Sequence, residues 1–267
     1  MLSLIIICLF AGAIGAIIQG MIGIGTGLIV IPLLTFILPY YGIPQDTAIH
    51  IALATSMAAI VVSSVSALIV HHKRGNVVWS IFKKIILFSV IGSCVGALIA
   101  SYTSGRGLQN VFGIFMIAVA IYMLVKKSPA DMSDTIPEMS LPKMATGGFS
   151  IGFFASMIGA GGSIFMVPFL HSLNVKMRYA VGTSTLIGLP VAIIGTVTYI
   201  VAGLQQMPAS SVTVGYLHWP AFLAIASAGA LCAPIGAKYA TALPTKILQR
   251  IFAVCIILVG IKMLGIF

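Results

Sequence analysis

The chain is a succession of long apolar runs separated by short polar breaks. Apolar stretches cover 2–38, 47–70, 77–101 and 107–125, then 144–170, 178–202, 215–240 and 245–266. Runs of this length predict a polytopic helical membrane protein. The first run is too long for one helix. As a single helix its 37 residues would extend about 55 Å, against a hydrocarbon core of about 30 Å. It must fold back, and the glycines of GMIGIGTGLIVIPLL at 20–34 are where a helix is weakest. The stretch SMIGAGGSIFMVPFL at 156–170 writes the same pattern again.

That recurrence is one block of a whole-chain repeat. At an offset of 136, Met21-Ile22-Gly23, Gly25 and Pro32 recur as Met157-Ile158-Gly159, Gly161 and Pro168. At 128, Ala52 and Thr55-Ser56 recur as Ala180 and Thr183-Ser184. At 140, Trp79, Gly96-Ala97, Leu108-Gln109, Phe112 and Met123-Leu124 recur as Trp219, Gly236-Ala237, Leu248-Gln249, Phe252 and Met263-Leu264. Residues 1–125 and 142–267 are thus two homologous halves, joined by a polar cytoplasmic linker at 126–141. Each half is expected to be a glycine-broken helical hairpin followed by three transmembrane helices, giving an all-α fold.

Charge sets the orientation. Suppose each hairpin begins and ends on one side. Then Lys73, Arg74, Lys83, Lys84, Lys126, Lys127, Lys143, Lys176, Arg178, Lys238, Lys246 and Arg250 share a side, and only Arg106 and Lys262 lie opposite, a split of 12 to 2. A plain eight-span arrangement with the N-terminus inside divides 8 to 6. The positive-inside rule therefore favours two inverted-topology repeats with both chain ends outside. Whether the hairpins re-enter or cross completely leaves this parity unchanged. The first twenty residues lack a basic n-region, so LSLIIICLFAGAIGAII is read as a retained membrane helix.

Composition removes other classes. The 267 residues are 60% hydrophobic and 7% charged, and the four acids cannot solvate a soluble globule of this size. The net charge of +10 lies in short loops, where it orients the protein and does not signal nucleic acid. Cys8, Cys94, Cys232 and Cys255 stand singly in apolar segments, without the spacing of a metal site. No cofactor or metal is expected.

Gly12, Ala16 and Gly20 at four-residue spacing fit close helix packing. Gly23-Ile24-Gly25-Thr26-Gly27 and Gly159-Ala160-Gly161-Gly162-Ser163 are denser than packing needs. No strand precedes either, which excludes a dinucleotide loop. They read as helix breaks that bare backbone N–H groups at the start of the next half-helix, an anion site without a basic side chain. Thr55-Ser56 and Thr183-Ser184 lie roughly 10 to 14 Å into their spans. Their hydroxyls either bond their own helix or donate toward the pseudo-symmetric centre. Gln19 either lines the site or satisfies broken backbone. Asp46 and His50, at a span start, read as a helix-end charge and an interfacial His. His71-His72-Lys73-Arg74 reads as a solvated loop, and His171 and His218 as interfacial residues.

At Gly23 to Pro32, Thr55-Ser56, Gly159 to Pro168 and Thr183-Ser184 the chain resembles the TauE/SafE family of sulfite and sulfonate exporters. The family carries a GxGGG-then-Pro motif early in each half, followed by Thr-Ser. The resemblance implies export of sulfite, sulfoacetate or a related organosulfonate through a bacterial inner membrane. The substrate-binding residues would be Gln19, Gly25, Thr26, Gly27, Thr55, Ser56, Gly161, Gly162, Ser163, Thr183 and Ser184. The implied partners are this small anion and the lipid bilayer; a homodimer stays open. Thr26 and Ser163 replace family glycines and add hydroxyls beside the site.

No span carries a Ser–His or paired-Asp constellation, so an intramembrane enzyme is disfavoured. A channel, a facilitator or an uptake permease for another organic anion remains as an alternative. An inside-negative potential of about 100 mV favours exit of one negative charge by about 2.3 kcal/mol, so export requires no coupling ion.

Overall fold

The computed structural model describes residues 2–22, 26–125, 140–207, 210–239, 254 and 256–265. Nearly all of them are helical. The first half contains α1 (Leu2–Ile22), α2 (Gly27–Ile37) with a 3-10 extension to Tyr41, α3 (Gln45–Lys73), α4 (Trp79–Tyr102) and α5 (Gly105–Val125). The second contains α6 (Leu141–Met157), α7 (Ser163–Ser172), α8 (Met177–Gln206) and α9 (Trp219–Tyr239), and 256–263 is again helical. The helices α1, α3, α4, α8 and α9 are long and apolar enough to cross a membrane. The linker charges, Lys246, Arg250, Cys255, Gly23 and Gly25 lie outside the described residues.

The second apolar run breaks at its glycines, between α6 and α7. The 10 residues of α7 reach only about 15 Å, half of a hydrocarbon core. The first hairpin returns to where it began, because the Ser3 and Tyr41 hydroxyls are hydrogen-bonded at 2.8 Å. The second is closed by the Phe169 ring packed on Gly147.

Each hairpin packs across the molecule, on the fourth helix of the opposite half. Gly12 meets Ile225, and Gly20 meets Ala233 and Ala237, so α1 runs parallel to α9. Gly148 meets Ile85, and Gly96 meets Phe153, so α6 runs parallel to α4. Between these pairs α3 and α8 cross, with the Met57 side chain against Gly195. Small residues let the backbones touch, which is how helices associate where lipid removes the hydrophobic drive between them.

The second half has a longer connection before its fourth helix. It forms a two-residue antiparallel ribbon, Thr213–Val214 with Leu217–His218. The span expected from 215 therefore starts at Trp219, after His218 has been carried against α3.

A Cβ on Gly152 would run into the Ser89 carbonyl oxygen and backbone of α4. Gly152→Val is expected to cost about 1–3 kcal/mol through separation of α4 from α6. Thermal unfolding in detergent reads the loss; an unchanged melting temperature contradicts this packing.

Candidate functional site

The second break is built from glycine conformations. Gly159, Gly161 and Gly162 have φ of 68°, 63° and 50°, a region that side chains with a Cβ rarely adopt. Gly159 ends α6 in a Schellman-type turn, in which Ala160 N–H bonds the Ala155 carbonyl at 3.0 Å. Gly162 then caps α7, its carbonyl accepting from the N–H of Phe165 and Met166.

The carbonyls of this break find donors. Tyr199 donates its hydroxyl to the Ser156 carbonyl at 2.9 Å, and Ser56 donates to the Gly159 carbonyl at 3.2 Å. The Gly161 carbonyl accepts from Ser163, through both its N–H and its hydroxyl. The N–H groups of Gly161, Gly162 and Ile164 have no partner among the described residues, although all three residues are buried. Buried, unpaired backbone donors are rare in folded proteins. Three within four residues at a helix start make a donor-rich, acceptor-poor cradle.

The start of α2 adjoins the second break. A Cβ on Gly27, at the start of α2, would lie 2.8 Å from the Gly159 carbonyl oxygen and 3.0 Å from the Ser56 hydroxyl. Ile60 of α3 abuts Gly161, and Gly188 of α8 abuts Gly162 and Ser163. Gly27, Ser56, Gly161, Gly162 and Ser163 are thus brought together at the crossing of α3 and α8.

The remaining candidates have separate partners. Thr26 donates its hydroxyl to Gln19 Oε1 at 2.5 Å, Ser63 donates to the same oxygen at 2.9 Å, and Gln19 Nε2 donates to Ser64 at 3.0 Å. Gln19 therefore ties the first break to α3. The Thr55 hydroxyl accepts from His218 N–H at 3.1 Å, and the Thr183 hydroxyl accepts from Val78 N–H at 2.9 Å. Each threonine satisfies the residue that precedes the fourth helix of the opposite half. Ser184 bonds the Val181 carbonyl of its own helix. Sequence reasoning missed Ser63, Ser64, Ser156 and Tyr199. The signal for Ser63 and Ser64 was helical spacing, since they share one face of α3 with Ser56 and Ile60.

A family model, described as "Sulfite exporter TauE/SafE", matches residues 8–263. The chain belongs to the TauE/SafE sulfite exporter family. It is 31% identical over 265 residues to a "Probable membrane transporter protein" of Haemophilus influenzae, covering 98% of this chain and 99% of that one. Identity to "Probable membrane transporter protein MJ0441" of Methanocaldococcus jannaschii is 30%, over 94% and 88% of the two chains. "Probable membrane transporter protein YunE" of Bacillus subtilis is 24% identical over 99% and 98%. No solved structure matches. This TauE/SafE member is accordingly a multi-pass membrane protein of a transporter family.

Replacing Thr55 by Val keeps the shape and strands the His218 N–H. It is expected to cost about 1–3 kcal/mol, read as a lower melting temperature; Ser184→Ala, which removes only a local bond, should cost less.

His218 itself caps α9, its Nδ1 accepting from Ala221 N–H at 3.2 Å. Burial holds its pKa below the ordinary imidazole value. Below about pH 6.5 the unfolded chain then binds a proton that the folded chain resists. Stability should therefore fall as pH drops through that region. His218→Asn retains a cap and removes the titration, so its melting temperature should change less between about pH 8 and pH 5.

Proposed function

We propose that the protein moves a small sulfur oxyanion, sulfite or an organosulfonate, outward across a bacterial inner membrane. The anion would bind at the adjoining hairpin breaks. The observation that carries this reading is the set of unpaired, buried N–H groups of Gly161, Gly162 and Ile164 at the start of α7. They hold donors for several oxygens of one ligand, and the helix dipole adds to them. Among the described residues within these breaks there is no charged side chain, so binding would rest on amides and the Gln19–Thr26 pair. Export along the membrane potential suits such a site, which supplies no fixed counter-charge.

The halves are proposed to be inverted repeats with both chain ends outside. Two features support this beyond the positive-inside count. The pairs α1–α9 and α4–α6 are reciprocal, as are Thr55–His218 and Thr183–Val78. In addition, His50 Nε2 lies 3.0 Å from the Thr103 carbonyl, which returns the end of α4 to the start of α3. With α6 parallel to α4, the second hairpin enters from the side opposite the first.

Purified protein in liposomes should move labelled sulfite down its gradient. Gly161→Ala and Gly162→Ala would force positive φ on residues with a Cβ and should lower the apparent affinity at least about tenfold. Ser163→Ala, which leaves the amides in place, should cost much less. Equal transport by all three variants would refute the amide site, and single-channel conductance would assign a channel instead of a carrier.

A further inference from the structure

Among the described residues, three buried side-chain atoms have no hydrogen-bond partner: both ring nitrogens of His71 and Oγ of Ser89. The expectation of a solvated loop at His71 is corrected, because α3 continues through Lys73 and buries it. Ser89 is 0% exposed and lies about 15 Å into α4. A hydroxyl in a membrane helix ordinarily donates to the carbonyl four residues back. Thr35, Ser101, Thr185, Thr196 and Thr198 do so here. Ser89 leaves the Ile85 carbonyl alone and faces α6, where a Cβ on Gly148 would lie 3.1 Å from its Oγ.

Ser89 belongs to a seam floored by glycine. Gly92 and Gly96 of α4 meet the backbone of Phe149 and Phe153, and Gly152 of α6 meets the backbone of Ser89 itself. One turn along α4, Ser93 donates to the Val191 carbonyl at 2.8 Å. Its single proton is spent there, so in the 2.6 Å contact between the Ser93 and Ser156 hydroxyls Ser156 is the donor. Ser156 stands in the last turn of α6, and Tyr199 holds its carbonyl beside the break. At the other end of the seam, where both helices start, Lys83, Lys84 and Lys143 are exposed. From Lys84 the rise is about 8 Å to Ser89 and about 6 Å more to Ser93.

We infer that the α4–α6 seam holds a second, cytoplasm-facing site for the small oxyanion, built from the Ser89 and Ser156 hydroxyls and formed when the two helices part. This rests on the proposed transport function and its orientation. Backbones in contact through glycine have no interlocking side chains to hold them shut. Parting breaks the Ser156–Ser93 bond and leaves two hydroxyl donors one turn apart, with no acidic side chain on either helix. An oxyanion gives the Ser89 proton the acceptor that it lacks. The lysines at the mouth raise the local concentration of anions, and the positive-inside count puts that mouth in the cytoplasm. On the proposed repeat, Ser89 and Ser156 correspond to Gly229 and Gly20. The matching seam between α1 and α9 therefore lacks both hydroxyls, and the site serves loading from inside.

Uptake of labelled sulfite into inside-out membrane vesicles tests this. Ser89→Ala should raise the sulfite concentration for half-maximal uptake about three- to tenfold, as loss of one hydrogen bond does. It should melt no lower than wild type, because the hydroxyl bonds nothing while the seam is closed. Ser101→Ala, on the same helix but bonded to its own Ala97 carbonyl, should leave that concentration unchanged. With the four native cysteines replaced by alanine, Ser89→Cys should react with a charged, membrane-impermeant thiol reagent from the cytoplasmic face. An unchanged half-maximal concentration in Ser89→Ala, a lowered melting temperature, or a thiol unreactive from that face overturns the inference and leaves the proposed function standing. A wild type that takes up no sulfite overturns both.

Discussion

A membrane interior offers no water to a backbone that leaves the helix, and this constraint organises the molecule. Where α6 stops, its carbonyls must find donors inside the protein. Tyr199, Ser56 and Ser163 supply them for Ser156, Gly159 and Gly161. The hydroxyls available at this break are spent on acceptors, and the N–H groups of Gly161, Gly162 and Ile164 are left over. Each unpaired donor costs about 1–3 kcal/mol while it lacks a partner. The excess of donors has a sign, and on the proposed function it would serve an anion and not a cation.

The same constraint explains why neither half is a self-contained unit. Each broken hairpin packs on the fourth helix of the other half, and each fourth helix has its leading N–H held by a threonine from the opposite third helix. A shift of one hairpin would therefore reach the other half through interfaces whose small residues leave few side chains to interlock. These are smooth surfaces along which rigid elements can slide.

The second break and the close packing of Gly12 and Gly20 were legible, because each leaves a local mark: a glycine run and a four-residue spacing. The fate of the Thr-Ser pairs was not. Adjacent residues point about 100° apart on a helix, so Thr55 and Ser56 could not both face one centre. Ser56 reaches the break and Thr55 turns to His218, a partner 163 residues away. Nothing near Thr55 in the sequence names that partner. Gln19 was ambiguous for a similar reason, since Ser63 and Ser64, which decide its role, lie 44 and 45 residues on. Gly25 lies outside the described residues, so the first break is known only from its flanks.

A transporter must let go of what it binds, and amide donors suit that need. An Arg in the break would add a full charge that stays when the anion leaves, and a bare cation at this depth costs several kcal/mol. Backbone N–H groups leave only unpaired donors, at about 1–3 kcal/mol each. The empty and loaded states then differ by little enough for both to be visited within one cycle. Glycines at 159, 161 and 162 make this possible, because a Cβ at these positive φ values would force another backbone path and take the donors with it. On the proposed function, the run that weakens the helix would therefore be the part of the chain that holds an anion and still releases it.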